Sequence, residues 1–473
     1  MSKIHLYRFR PIENLFGEYK ELENQSIFFA PPYLLNDPVE GFKDIYWQGD
    51  EVLWTNFFNH YLLCLMNSCI DFQIIGDDFN LTENFNACIT VEDLHVNFQS
   101  EFSIISNKFI GSNYLQNLIS GVTTHRTKVE EYELKSYLRA IHNFALNCIY
   151  ERLEEISAGP RNLFKDMDFS VLEIINDQYF TDINELEVNY GKEKQRQIQE
   201  LSTFFFDQNN EALVLLSNIS EARKNIFTSA FTNLFIEKIE QLMFPEWYTA
   251  CFMSECTNSS VWGNYGRNHT GVCLIFESST DDNENKSIFL NDAIYGWDRN
   301  GAVRGKLPFR FYPIKYEHNY ETINFFDSIA QLPEPSTFKH WFSWGGMISK
   351  FANKFTDEWR TQHWSNFYKS VTKKTTDWKY ENEYRLLICN MNGSYKTTDT
   401  TLKYDFKSLK GIIFGIKTSS EKKIEVIRAI EKKVKENSHY EFKFYQAYYC
   451  RNSGQIKHYE MKSLKFKDSN TPN

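Results

Sequence analysis

The chain has 473 residues, of which 42% are hydrophobic and 16% aromatic, and its formal net charge is −10. That apolar content excludes a disordered chain, and the length supports two to three domains. The acidic balance disfavours a general nucleic-acid-coating role and leaves only local basic patches open. In chain order, residues 4–10 (IHLYRFR) form a β-rich run ended by Pro11, and a short helix follows. SIFFAPP reads as a second strand closed by Pro31 and Pro32, and Asn36-Asp37-Pro38 then favours a turn. From about residue 50 to 245 the apolar spacing becomes helical. Leu134, Tyr137, Leu138, Ile141, Phe144, Ala145, Cys148 and Ile149 share one stripe, and Ala230, Leu234, Ile236 and Ile239 repeat it. This block predicts an all-helical insertion or accessory domain with its own apolar core.

The β signal returns after residue 246. WYTACFMSE and GVCLIFE are strand-length runs separated by the helix-compatible NSSVWGNYGRNH, and alternation reappears from Phe309 to Tyr316. Residues 320–375 read as largely helical. YRLLIC, the strand GIIFG, an amphipathic helix (Ile424, Ile427, Ile430, Val434) and a final strand FKFYQAYY complete the pattern. The predicted architecture is an α+β domain made of residues 1–49 and 246–473, interrupted by residues 50–245.

No apolar run approaches the roughly 18 residues needed to span a bilayer, and the N-terminal residues show no signal-peptide core. Nine cysteines are scattered without a CxxC pair, and the histidines lack metal-ligand spacing. Reduced, mostly buried thiols in a cytoplasmic protein are expected, with no metal and no membrane partner. No Gly-x-Gly-x-x-Gly, GK[ST], HExxH or Gly-x-Ser-x-Gly occurs, so the residues give no support to kinase, P-loop, zincin or α/β-hydrolase chemistry.

The stretch DWKYENEYRLL, Asp377 to Leu387, sets Glu381 and Glu383 two apart. In a strand both carboxylates would project from one face, where neighbouring like charges cost stability. They are tolerable if a cation, or developing positive charge, sits between them. A structural alternative pairs them with Arg385 and a cross-strand lysine.

Four islands, LYRFR, FFAPPYLLNDPVEGF, FMSECTNSSVWGNYGRNHTGVCLIFE and DWKYENEYRLL, together resemble family 2971 of the domains of unknown function. The residues that carry the resemblance are Tyr7-Arg8-Phe9-Arg10, Asn36-Asp37-Pro38, Trp262, Tyr265, His269, Gly271, Trp378, Glu381, Glu383 and Arg385. It spans roughly residues 4–45 and 246–455, and the long helical block departs from it. The order of islands is similar to mono-ADP-ribosyltransferases of the Arg-Ser-Glu kind, which implies a split-sheet fold with NAD as substrate. In that likeness Arg8 or Arg10 would bind the NAD phosphates, and Ser254 would position the nicotinamide side. Trp262 and Tyr265 would stack on the ring, and His269 would complete the cofactor-binding set. Glu383 would stabilise positive charge on the ribose, and Glu381 would activate an acceptor. Arg8 or Arg10, Ser254, Tyr265 and Glu383 should then line one cleft. The likeness implies a bacterial toxin or phage-defence effector acting on a protein, a nucleic acid or water. Two alternatives stay open. One is a non-catalytic sensor whose helical block, residues 50–245, binds a protein partner. The other is a metal-dependent nuclease using Asp37, Glu40, Glu381 and Glu383. Packing and salt-bridge roles remain open for Trp262, Tyr265, Arg8 and Arg10, and a turn-capping role for His269.

Overall fold

The computed structural model describes residues 4–216, 220–280, 285–391, 395–439 and 441–466. Helix makes up 50% and strand 23%, so the protein is mixed α and β. Contacts divide it into two compact units. One comprises residues 1–42, 246–320 and 367–473, and the other residues 43–245 and 321–366.

The helical unit is built around the helix Glu51–Ile75, which is apolar on nearly every face and buried along most of its length. A helix of that kind belongs at the centre of a bundle rather than on its surface. Asp50 caps it by accepting from the Leu53 N–H at 3.1 Å, and also accepts from the Ser349 hydroxyl at 2.8 Å. Val96–Ile110, Asn113–His125 and Glu131–Glu155 surround it. Among the described residues of 50–245 there is no strand, only a single bridge from Val129 to Trp47. Residues 321–366, expected with the C-terminal part of the α+β domain, cluster with this unit instead. Aromatic packing supplies the reason, because Phe326 meets Trp54 at 5.3 Å, Phe325 meets Phe57 at 6.0 Å and Trp341 meets His60 at 5.0 Å. That stretch is also less helical than expected. Short strands Thr322–Asn324, Ser343–Trp344 and Met347–Ile348 interrupt it before the helix Asp357–Val371.

The other unit is organised by one sheet. Its main path runs Gln455–Glu460, Lys443–Cys450, Leu409–Phe414, Val272–Thr280, Ile4–Arg10, Glu246–Met253, Glu383–Asn390 and Tyr312–Pro313. Strand Ile4–Arg10 is central, and alternation gives it two apolar faces. Leu6 joins Phe252, Leu274 and Phe276 under the helix Ser420–Asn437, which contributes Val426, Ile430 and Val434. On the opposite face Phe9 packs with Met253, Trp262, Cys273, Ile275 and Ile413. Leu409–Phe414 and Lys443–Cys450 pair in parallel across that helix, as a β–α–β crossover requires. Two features had no counterpart in the sequence expectations: the long hairpin Lys286–Asp298/Gly301–Arg310 and the edge strand Gln455–Glu460.

The sheet opens beside its central strand. Ile4–Arg10 pairs along its whole length with Val272–Thr280, from Ile4↔Ser278 to Arg10↔Val272. Its ladder with Glu246–Met253 has the single pair Tyr7↔Met253. Beyond that pair the two strands splay, and Thr249 bridges to Ala30 rather than to the central strand.

Candidate functional site

A cleft of about 370 Å³ lies in this fork, lined among others by Arg8, Arg10, Cys251, Glu40, Lys374 and Tyr265. All of these belong to the sheet-containing unit. The size falls within the usual range for small-ligand sites.

One wall is cationic. The splay leaves the Cys251 carbonyl without a ladder partner, and the Arg8 guanidinium donates to it at 3.2 Å and to the Phe28 carbonyl at 3.2 Å. Arg8 is only 4% exposed and makes no ion pair among the described residues; the carboxylate whose charge it feels, Glu21, is paired with Arg10. Two of the five guanidinium donors are used, and neither bond neutralises the charge. Burial first, and then repulsion from Arg10, pull its pKa down to about 9, which leaves it a cation at neutral pH. Arg10 differs. It is paired with Glu21, Nε to Oε2 at 2.8 Å, and is partly exposed.

Beside the cleft lies a buried cluster of three carboxylates and two cations. Lys374 Nζ stands 3.1 Å from Glu40 Oε1, 2.8 Å from Glu381 Oε2 and 2.7 Å from Glu383 Oε2. Arg385 Nε meets Glu383 Oε1 at 2.8 Å, its Nη2 pairs with Glu40, and its Nη1 donates to the Val371 carbonyl at 2.8 Å. Tyr265 closes the group by donating its hydroxyl to Glu381 Oε1 at 2.6 Å. Burial would raise the Glu383 carboxyl, but Arg385 and Lys374 outweigh it and hold it down at about 2. For Glu40 and Glu381 burial wins over the cations, and both carboxyls are raised. With one more carboxylate than cations, the cluster retains a proton or draws in positive charge.

The local geometry of the glutamate pair departs from the expected strand. Glu381 ends a 3₁₀ turn, Asn382 adopts a left-handed conformation (φ 47°), and the strand starts at Glu383. The two carboxylates still converge, because the cation between them is the ammonium of Lys374. Asp37 accepts from the Val39 N–H at 3.1 Å, as a turn-forming residue does. Lys374 therefore fills the place that a divalent cation would need among Glu40, Glu381 and Glu383.

The other expected site residues are dispersed. Register sets Tyr7, Met253 and Glu383 on one face of the sheet, so Arg8 projects from the opposite face. Arg8, Arg10 and Tyr265 reach the cleft, while Glu383 and Ser254 are not in its lining. Ser254 makes a backbone bond to the Asn382 carbonyl at 3.0 Å. Trp262 is 1% exposed, sits edge-on to Phe9 at 4.9 Å, and donates Nε1 to the Cys256 carbonyl. That is a core position, away from the cleft lining. His269 lies in a turn with φ 69°, where its carbonyl accepts from the Lys417 N–H at 2.9 Å. A Cβ on Gly415 would stand 2.2 Å from that carbonyl, so the close approach needs glycine. The sequence expectations group Glu40 with Asp37, Glu381 and Glu383 only as the metal set of one alternative and do not name Lys374; the structure gathers Glu40, Glu381 and Glu383 around Lys374.

Residues 261–386 match the model of a family described as a protein of unknown function, DUF2971. The match covers about a quarter of the chain. The DUF2971 segment contains Tyr265, Lys374, Glu381, Glu383 and Arg385, and excludes Arg8, Arg10 and Glu40. The match is shorter than the two-part resemblance read from the sequence. No curated protein and no solved structure matches the chain.

Glu383 gives the cluster a measurable acid limb. Its folded pKa near 2 lies below the ordinary carboxyl value of 4.5, so its stabilisation is complete above that value and disappears as pH falls towards 2. The stability gap between wild type and Glu383→Gln is therefore expected to shrink by about 3 kcal/mol between pH 6 and pH 2. Urea unfolding across that range measures it, and a constant gap contradicts the assignment.

Proposed function

We propose that the sheet-containing unit binds NAD in the cleft between the splayed strands and breaks the nicotinamide–ribose bond, as an ADP-ribosyltransferase-like enzyme or an NAD glycohydrolase. The observation that carries this reading is Arg8, a buried guanidinium that makes no ion pair among the described residues and lines a cleft whose other wall carries an excess carboxylate. Its nearby carboxylate, Glu21, is paired with Arg10. A ligand matched to both walls carries an anionic group and, at some distance, positive charge. NAD has both, in its pyrophosphate and its nicotinamide ring. A guanidinium fork suits phosphate oxygens, and a carboxylate in a dry site stabilises the charge that develops on the ribose. A toxin or phage-defence effector is the role that fits such an activity, with a protein, a nucleic acid or water as acceptor.

A second reading, a sensor that binds the nucleotide without turnover, is favoured by the commitment of Glu381 and Glu383 to Lys374 and Arg385. One experiment separates the two. The purified chain is incubated with NAD, free nicotinamide is followed by chromatography, and NAD binding is followed by calorimetry. Binding with steady nicotinamide release is the expected result. Binding without release selects the sensor, and absence of binding removes both.

A further inference from the structure

We infer that Glu40 is the catalytic carboxylate of the cleft, and that Glu381 and Glu383 position the charges behind it; this rests on the NAD reading above. Of the three clustered glutamates only Glu40 contributes to the cleft lining. All three are held at both oxygens, Glu383 by Arg385 and Lys374, Glu381 by Lys374 and Tyr265, and Glu40 by Lys374 and Arg385, so its place in the cleft lining is what separates Glu40 from the other two. The Lys374 contact to Glu40, at 3.1 Å, is the longest of the three that this ammonium makes.

Backbone geometry places Glu40 through its own turn and through a contact with the strand Glu246–Met253. It sits in the turn after Pro38, where its N–H donates to the Asp37 carbonyl at 3.2 Å. Gly41 follows with φ +76°, and a Cβ there would stand 2.6 Å from the Trp247 ring. The turn is thus fixed in place against a buried tryptophan. Arg8 supplies the second, independent sign of a ligand, as a cation buried on the same cleft with donors to spare.

The step balances without any further reagent. The C–N bond between ribose and nicotinamide breaks, its electron pair leaves with neutral nicotinamide, and positive charge passes to the ribose beside the Glu40 carboxylate. A water oxygen, or an acceptor hydroxyl, bonds to the same carbon and its proton passes to Glu40. The products are ADP-ribose, or ADP-ribosylated acceptor, and nicotinamide, with one proton released when Glu40 deprotonates. Because burial raises the Glu40 carboxyl, the base form accumulates only above the ordinary carboxyl range.

The test uses the full chain with NAD as the probe. Glu40→Gln is expected to keep NAD affinity within about threefold while nicotinamide release falls by on the order of 100- to 1000-fold. The wild-type kcat profile should rise with pH through a group above the usual carboxyl range, and Glu40→Asp should shift that limb, which a purely structural residue would not do. Thermal unfolding of each variant checks its fold, and if Glu40→Gln does not fold, the Glu40→Asp profile decides. Wild-type release in Glu40→Gln, or an unshifted limb in Glu40→Asp, overturns the inference. If wild type binds NAD and never releases nicotinamide, Glu40 has no catalytic role and NAD binding stands. If wild type does not bind NAD, the NAD reading fails and this role falls with it.

Discussion

Arg8→Met is expected to weaken NAD binding by on the order of 100-fold or more, with the fold retained. The guanidinium is buried, charged at neutral pH and tied only to two carbonyl oxygens. In the NAD reading its partner is the pyrophosphate, and truncating one side of a buried charge-assisted pair costs ~2–5 kcal/mol, about 30- to several-thousand-fold in affinity. Arg8→Lys keeps the charge but loses the planar fork, so most of the loss should remain. Arg10→Gln should do far less, because Glu21 already neutralises Arg10. Calorimetric titration of NAD into the three variants gives the order. Equal affinity in Arg8→Met and wild type would remove the phosphate role and the strongest support for the proposed function. Thermal unfolding of Arg8→Met checks that uncapping the Cys251 and Phe28 carbonyls has not disordered the fork.

Lys374→Met should be the most destabilising single change in the sheet-containing unit. The side chain is 3% exposed and its ammonium is shared by three carboxylates. Methionine preserves the length and removes the charge, leaving Glu40 and Glu383 with Arg385 and Glu381 with the Tyr265 hydroxyl. Breaking a buried pair in this way typically costs ~3–5 kcal/mol, which for a unit of this size is on the order of 10 °C in Tm. The double variant Lys374→Met/Glu381→Gln should recover part of the loss, because it removes one of the carboxylates left unpaired. Scanning calorimetry on both variants tests this, and an unchanged Tm in Lys374→Met would mean that the carboxylates are protonated rather than ion-paired.

Much of the chain was legible before any coordinates. Ile4–Arg10, Leu409–Phe414 and the helix Ser420–Asn437 follow from local period, from Pro11 and from the glycines that flank GIIFG. The helical block was legible because its stripes hold a 3.6-residue repeat over several turns. Harder to read were elements fixed by distant partners. Phe325, Phe326 and Trp341 carry no local mark that they pack on Trp54, Phe57 and His60. The glutamate pair was noticed for a sound reason, the need for a cation between the charges. Its geometry was not legible, because a left-handed Asn382 breaks the strand that the spacing implied. Lys374 and Glu40 lie far apart in sequence and meet only through the fold, so neither spacing nor composition could connect them.

The placement of Ile4–Arg10 at the middle of the sheet has a consequence for biosynthesis. This strand leaves the ribosome well before its neighbours, which begin only at Glu246 and Val272, and the residues that complete the charged wall arrive at Lys374 and after. At usual translation rates that interval lasts tens of seconds, during which the helices before residue 245 can form through local contacts while the sheet cannot. Phe325, Phe326 and Trp341 join those helices only later. A nascent or prematurely terminated chain therefore holds one cationic strand and no cleft. Under the proposed NAD-cleaving function, late closure of the sheet would keep unfinished copies inert.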